Sequence, residues 1–251
     1  MAQPSPAPVR IPAGISTDFP WGPLANYGRP NPFGYHTWNE EFDLLNPAYI
    51  ATKTGVGTIA AGAAANGVAT FTTAPLATDN AVLTLPFSTF QVTLGKKAFF
   101  LARLQLTNAL NASIMLGLMA ATATPFTGVP ADGIWLYKSS GYLTFAMAHA
   151  AASVLTTVSI PPSSAMANNT NIDIGFYVDR GGNIFAFIGA QLVGWLPQSG
   201  TAGQAGGRGP VASLLPPVLT SALLMPVIAV QSGAAAAVTM SVDFAMAATE
   251  R

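Results

Sequence analysis

Chemistry at a protein surface needs polar groups that converge, and the first candidates in this chain are two histidines and a few carboxylates. His36 stands between Tyr35 and Thr37, and His149 closes the apolar run Leu143–Ala148. A metal centre or a nucleophilic triad would need them joined with a carboxylate, yet neither has a partner at ligand spacing. Hydrolysis of a sugar bond in a β-sandwich would need two carboxylates flanking that bond. On one strand they would fall at i and i+2 or i+4, positions that share a face. In the run Ile172–Tyr177, Asp173 is followed at those positions by Gly175 and Tyr177. Glu40-Glu41-Phe42-Asp43 is the one acidic cluster, and Glu41 and Asp43 would share a face in a strand. It reads as a solvated patch or a salt-bridge partner for an arginine. Asp79-Asn80 and Asn168-Asn169 offer loop oxygens, but calcium takes about six to eight oxygens, usually from several carboxylates. Each loop supplies at most one acid, so turn chemistry explains them better. The reading is therefore non-enzymatic: catalytic residues none, cofactor-binding residues none, metal ligands none, and no cofactor.

The elements that must carry these residues are short and β-prone. Val68–Thr73, Ala81–Leu85, Ala98–Thr107, Ile114–Ala120, Gly133–Lys138, Tyr142–Ala148, Ile172–Asp179, Asn183–Gly189, Met225–Gln231 and Val238–Ala247 are predicted strands. In Phe100–Leu106 the alternation puts Arg103 and Gln105 on one face and Leu104 and Leu106 on the other, the mark of a half-buried strand. Lys138-Ser139-Ser140-Gly141 and Asp179-Arg180-Gly181-Gly182-Asn183 supply hairpin turns. No long run keeps a helical period. Many short strands with frequent turns predict an all-β fold, an antiparallel β-sandwich of jelly-roll or concanavalin-like type, over residues 48–251. Gln198–Pro210, rich in Gly and Ala, reads as a surface loop.

Residues 1–47 differ. They hold nine of the twenty prolines, interleaved with Trp21, Tyr27, Phe33, Tyr35 and Trp38. Proline at that density argues against helix and central strand, while the aromatic rings want burial that a solvated tail does not offer. The segment reads as an extended N-terminal arm, ordered by lying on its own domain or on a neighbour.

Charge is scarce: Asp, Glu, Lys and Arg make up 8 % of 251 residues, against about a quarter in ordinary domains. Mean hydropathy is +0.44. A surface so poor in charge points to contact with other subunits or with lipid. The most apolar stretch, Val211–Val230, contains Pro216, Pro217 and Pro226, which a spanning helix would not tolerate. Nor does the chain show the even series of strands with aromatic girdles of a membrane barrel, so no membrane partner is expected. The first ten residues show neither the basic start nor the apolar core of a secretory signal. With no cysteine, disulfides and thiolate zinc sites are excluded. Ten basic and ten acidic residues cancel, and only Lys96 and Lys97 among the basic ones are adjacent; no basic stripe means no nucleic acid partner.

Several phrases, Gly95–Arg103, Gly117-Leu118, Gly128–Lys138, Ile172–Asp179 and Pro226–Arg251, resemble virion structural proteins of tailed bacteriophages. The resemblance covers roughly Phe42 to Arg251 and contains strand and turn wording with no catalytic signature. It implies a capsid decoration or cement protein on the virion surface, assembled in the host cytoplasm, with the major capsid protein as partner. The missing charge adds the expectation of a homo-oligomer, a trimer by analogy with shell proteins on threefold axes. The alternative is a lectin-like carbohydrate-binding module displayed for host attachment, in which Trp135, Tyr137 or Trp195 would form an aromatic platform.

Overall fold

The computed structural model describes residues 33–61, 67–121, 124–128, 130–138, 143–148, 155–159, 166–189, 191–196, 201–202, 211–212, 222–233 and 236–251. Its strands in chain order are β1 (Tyr35–Glu40), β2 (Ile50–Thr54), β3 (Thr58–Ala61), β4 (Ala69–Thr72), β5 (Asn80–Thr84) and β6 (Phe90–Gln91). Then come β7 (Ala98–Leu106), β8 (Ala112–Met119), β9 (Gly133–Lys138), β10 (Leu143–Ala148), β11 (Leu155–Ser159) and β12 (Ile172–Val178). The series ends with β13 (Ile184–Ile188), β14 (Gln191–Leu196), β15 (Thr201–Ala202), β16 (Val211–Ala212), β17 (Leu223–Ser232) and β18 (Thr239–Glu250). The described residues contain no helix, hence none long and apolar enough to cross a membrane.

Two open antiparallel sheets form the predicted sandwich. The first has the order β14-β13-β12-β7-β18-β4-β3 with β1 also beside β18, and the second β11-β10-β9-β8-β17-β5-β2 with β6 also beside β17. Alternation along each strand feeds the space between them. Phe100, Leu104, Ile174 and Phe176 meet Ile114, Leu116, Leu136, Phe145 and Ile228 in one continuous core. Phe176 stacks on Phe100 at 5.7 Å and touches Phe145 at 6.1 Å across the gap. Each such buried ring contributes about 1.5–3 kcal/mol by leaving water.

In both sheets the long central strand has two partners in succession on one flank. Along β17, β6 pairs at Leu223–Leu224 and β5 from Val227 onward. Pro226, which has no N–H to give, lies in the gap between these partners, so a proline is tolerated in a central strand. Along β18 the change from β4 to β1 coincides with a bulge at Asp243. An extra residue reverses the alternation: Met240 and Val242 point inward before it, Ala245 and Ala247 after it.

The composition-based arm meets the structure from Phe33 on, and there it is part of the sandwich. Tyr35–Glu40 pairs with Ala245–Glu250. His36 rests on the ring of Phe90 at 4.8 Å. The Trp38 indole N–H donates to the Tyr49 hydroxyl at 3.1 Å, and that hydroxyl donates to Glu40. Phe42 is buried with φ at 53°. The remainder of the expected arm, 1–32, lies outside the described residues. Proline density argued against a strand across the whole segment, but no proline occurs between Pro32 and Pro47, which leaves room for β1.

Candidate functional site

The outer face of the second sheet is apolar and carries a cleft. Cross-strand register sets Ala229, Met115, Tyr137 and Thr144 in one row, and Val227, Gly117, Trp135 and Ala146 in the next. Large rings therefore stand beside Gly and Ala, and the mismatch leaves a hollow. Gly117 is required by close approach: a Cβ there would lie 2.3 Å from the Ile134 carbonyl oxygen and 2.7 Å from the Trp135 Cα. The loop after β8 contributes Pro125, Phe126 and Thr127 to the rim, the last tied to the Thr124 carbonyl by its N–H and hydroxyl. The resulting cleft measures about 370 Å³, within the usual range for small-molecule sites.

Trp135 and Tyr137 both line the cleft; Trp135 is 3 % exposed and serves as floor, while Tyr137 is half-buried. Polar contacts on offer come from the hydroxyls of Tyr137, Thr127 and Thr144 and the indole N–H. No charged side chain is among the described lining residues. Such a surface suits a ligand with one apolar face and a hydroxyl rim. The predicted strands Gly133–Lys138 and Tyr142–Ala148 hold the floor; the rim loop had no distinguishing signal in the sequence.

The polar candidates do not converge on this cleft. Asp173 lies on the outer face of the first sheet, where its carboxylate accepts from Arg103 Nε at 2.7 Å and Nη2 at 3.1 Å. Asp243, turned outward by the bulge, stands 3.7 Å from the same guanidinium, which also lies over the Phe244 ring at 5.4 Å. These carboxylates, the Asp173 bond foremost, hold the Arg103 pKa above its ordinary value. Of the acidic cluster only Glu40 is in a strand, as the last residue of β1: Phe42 turns the chain, Glu40 accepts from the Phe42 N–H and the Tyr49 hydroxyl, and Glu41 is exposed. Burial, then the bond to Glu40, raises the Tyr49 pKa. Asn168 ties two loops by accepting the Ala109 N–H at 2.7 Å, and Asn169 sits at φ 53°, the turn roles expected of them. His149 lies outside the described residues. Trp195 is 36 % exposed on β14, the edge strand of the first sheet, whereas Trp135 is on the second.

Lys138 is the residue that sequence reasoning passed over. Ile134, Leu136 and Lys138 share the core face of β9, and the lysine is 2 % exposed. Its ammonium donates to the Ala112 carbonyl at 2.6 Å, and burial pushes its pKa down to about 8. Its shared parity with Ile134 and Leu136 along the strand is the signal that could have found it.

No family model and no curated protein matches the sequence. Solved structures do match. An endo-1,3-beta-glucanase from Streptomyces sioyaensis is 13 % identical, TM-score 0.55, with 89 % of this chain and 99 % of that one covered. The carbohydrate recognition domain of Emp47p is 8 % identical, TM-score 0.53, covering 88 % and 99 %. A protein of unknown function from Shewanella oneidensis is 12 % identical, TM-score 0.51, covering 86 % and 87 %. The bacteriophage resemblance finds no support in these comparisons. What they establish is the fold: two antiparallel sheets packed as a jelly-roll, concanavalin-like β-sandwich.

Proposed function

We propose that this chain is a carbohydrate-binding module and that its cleft takes a neutral sugar ring. The observation that carries the reading is the aromatic floor of Trp135 and Tyr137 beside Gly117 and Ala146, rimmed by hydroxyls and free of charge. A sugar ring offers a C–H face to the aromatic floor and hydroxyls to the rim, the mixture of apolar lining and few polar groups that small-molecule sites use. The likeness to a carbohydrate recognition domain supports it. Binding is favoured over hydrolysis because the described lining supplies no carboxylate, whereas glycoside hydrolysis uses two.

The test is a screen of neutral oligosaccharides against the purified chain, followed by calorimetry with Tyr137→Ala and Trp195→Ala. Binding that weakens at least tenfold in the first variant and persists in the second supports the cleft. No binding across the screen, or cleavage of a bound glycan, overturns the reading.

A second reading, assembly with copies of itself or with a shell protein, is favoured by the two ends of the sandwich. At one end Val56, Leu76 and Leu110 are exposed on adjoining turns, and at the other Phe87, Leu94 and Leu223. Light scattering on the same sample at increasing concentration reads it directly: growth in mass supports assembly, and a constant 25.8 kDa removes it.

A further inference from the structure

The lining of the cleft changes character with depth. Its buried residues are Met115, Pro125, Pro130, Trp135 and Ala146. All five are apolar, and the one hydrogen-bonding nitrogen among their side chains is that of the Trp135 indole, a donor only. The hydroxyls belong to residues within reach of water: Tyr137 and Thr144 are half-buried and Thr127 is exposed. Among the described lining residues no side chain is an amide, carboxylate, imidazole, ammonium or guanidinium.

Register and packing produce this gradient. Met115, Tyr137 and Thr144 stand in one row of the sheet, and Trp135 and Ala146 in the next. Met115, Trp135 and Ala146 pack together, with Phe126 against them from the loop after β8. The Thr127 hydroxyl donates to the Thr124 carbonyl at 3.1 Å, so at the mouth it offers lone pairs.

A ligand of this cleft must therefore send carbon inward and hydroxyls outward. An ordinary hexopyranose does not separate its groups in that way, because hydroxyls surround the ring and the exocyclic carbon carries another. Whichever edge enters, a hydroxyl loses its water against Met115 and Pro125 and finds no side-chain acceptor there, and an unpaired buried hydroxyl is costly. A methyl group in place of the exocyclic CH₂OH makes one edge of the ring all carbon and adds apolar area to bury. An acetamido group also carries a methyl, but it brings an amide N–H for which the buried tier has no side-chain acceptor.

We propose that the cleft selects a 6-deoxyhexose, with its methyl group toward Met115, Pro125 and Ala146 and its hydroxyls toward Thr127, Tyr137 and Thr144. The proposal rests on the carbohydrate-binding reading and names the class of sugar that the cleft takes.

Calorimetry on the whole chain compares methyl glycosides that differ only at the exocyclic carbon: L-fucose against L-galactose, L-rhamnose against L-mannose, and D-quinovose against D-glucose. The deoxy member of at least one pair should bind about ten- to a hundredfold more tightly than its partner, the discrimination a hydrophobic pocket makes against an added hydroxyl. No pair should favour the CH₂OH. Ala146→Ser puts a hydroxyl at the bottom of the cleft and should shrink that ratio by about threefold or more, the worth of one new hydrogen bond. Thr144→Val removes a hydroxyl at the mouth while keeping the side-chain shape, and should weaken both members of the pair alike. Equal binding within every pair, a ratio that Ala146→Ser leaves intact, or a ratio that Thr144→Val removes overturns the deoxy-sugar assignment while the neutral-sugar reading stands. Silence from all of these glycosides overturns the assignment as well, and the oligosaccharide screen above then decides separately whether the cleft binds sugar.

Discussion

The two outer faces of the sandwich solve the same packing problem differently. On the first sheet Phe99, Tyr177 and Phe185 stand on successive strands, with ring centroids 4.9 and 6.0 Å apart, and Tyr35 closes the row at 5.7 Å. Gly175 sits in the next row, where a Cβ would lie 2.4 Å from the Phe100 carbonyl oxygen and 3.0 Å from Leu101 Cδ1; main chain and leucine together take up the space. Arg103, held by Asp173 and Asp243, supplies the polar closure. On the second sheet Gly117 stands in the same kind of position between Val227 and Trp135, with Ala146 beyond the indole, and Trp135 and Ala146 of this row line the cleft. Leu101 and Arg103 close the first surface, whereas the small Ala146 beside the rings leaves the second one open.

The sharpest way to break this contrast is to delete one ring from each face. Phe99→Ala is expected to cost about 3–5 kcal/mol, because the ring is fully buried and leaves a cavity behind. Trp135→Ala should cost less than Phe99→Ala, since one side of the indole already faces the cleft. Urea unfolding measures both, and an equal or larger loss at Trp135 means that the hollow is filled.

Adding bulk reverses the test with a smaller effect. Ala248, wholly buried beside Phe99, has no space to give, so Ala248→Leu should cost about 1–3 kcal/mol. Ala146→Leu lines the cleft and should cost below about 1 kcal/mol by the same argument, while abolishing sugar binding. Equal costs at the two sites would remove the distinction between a sealed and an open face.

The smallest expected effect is on acid sensitivity. Glu250, at the end of β18 on the first sheet, accepts from Arg180 and from the Lys97 N–H, and in that order these hold its pKa down at about 2. The folded state thus binds this proton less readily than the unfolded chain, whose carboxyl titrates near 4.5. Its contribution is complete above that value and is lost as the pH falls toward 2. The pair is exposed on the arginine side, so the amount is small. Hydrogen exchange between pH 4.5 and pH 2 should show the β1–β18 edge loosening before the second sheet, and Glu250→Gln should flatten that pH dependence.

Much of this was legible in the residues. The strand β7 follows from strict alternation in Phe100–Leu106, β9 and β12 from β-prone runs bounded by turns, and the β12–β13 turn from Asp179 and two glycines, with Asp179 Oδ1 and Oδ2 each accepting from Asn183 at 2.8 Å. The strands β2 and β3 were missed because short runs such as Ile50–Thr54 and Thr58–Ala61 are largely exposed edge and carry no apolar face. For β14, Gln191–Leu196, the Gly194 at its centre hides the pattern. In β18, reading by alternation places Phe244 inward; the bulge at Asp243 turns it out toward Arg103, and no local rule announces a bulge.

The sequence by itself determined the fold class, because a period of two interrupted by Gly, Pro and Asn turns leaves no other way to bury the apolar residues. It also shows that neither histidine has a carboxylate or second histidine at ligand spacing along the chain. Only the tertiary structure decided which small residues lie beside Trp135, that Asp79 is buried beneath Gly55 and Gly57, and that β1 joins the sheet. Each depends on cross-strand register between segments far apart in the chain, and register is set by the packing of both sheets together rather than by any one strand.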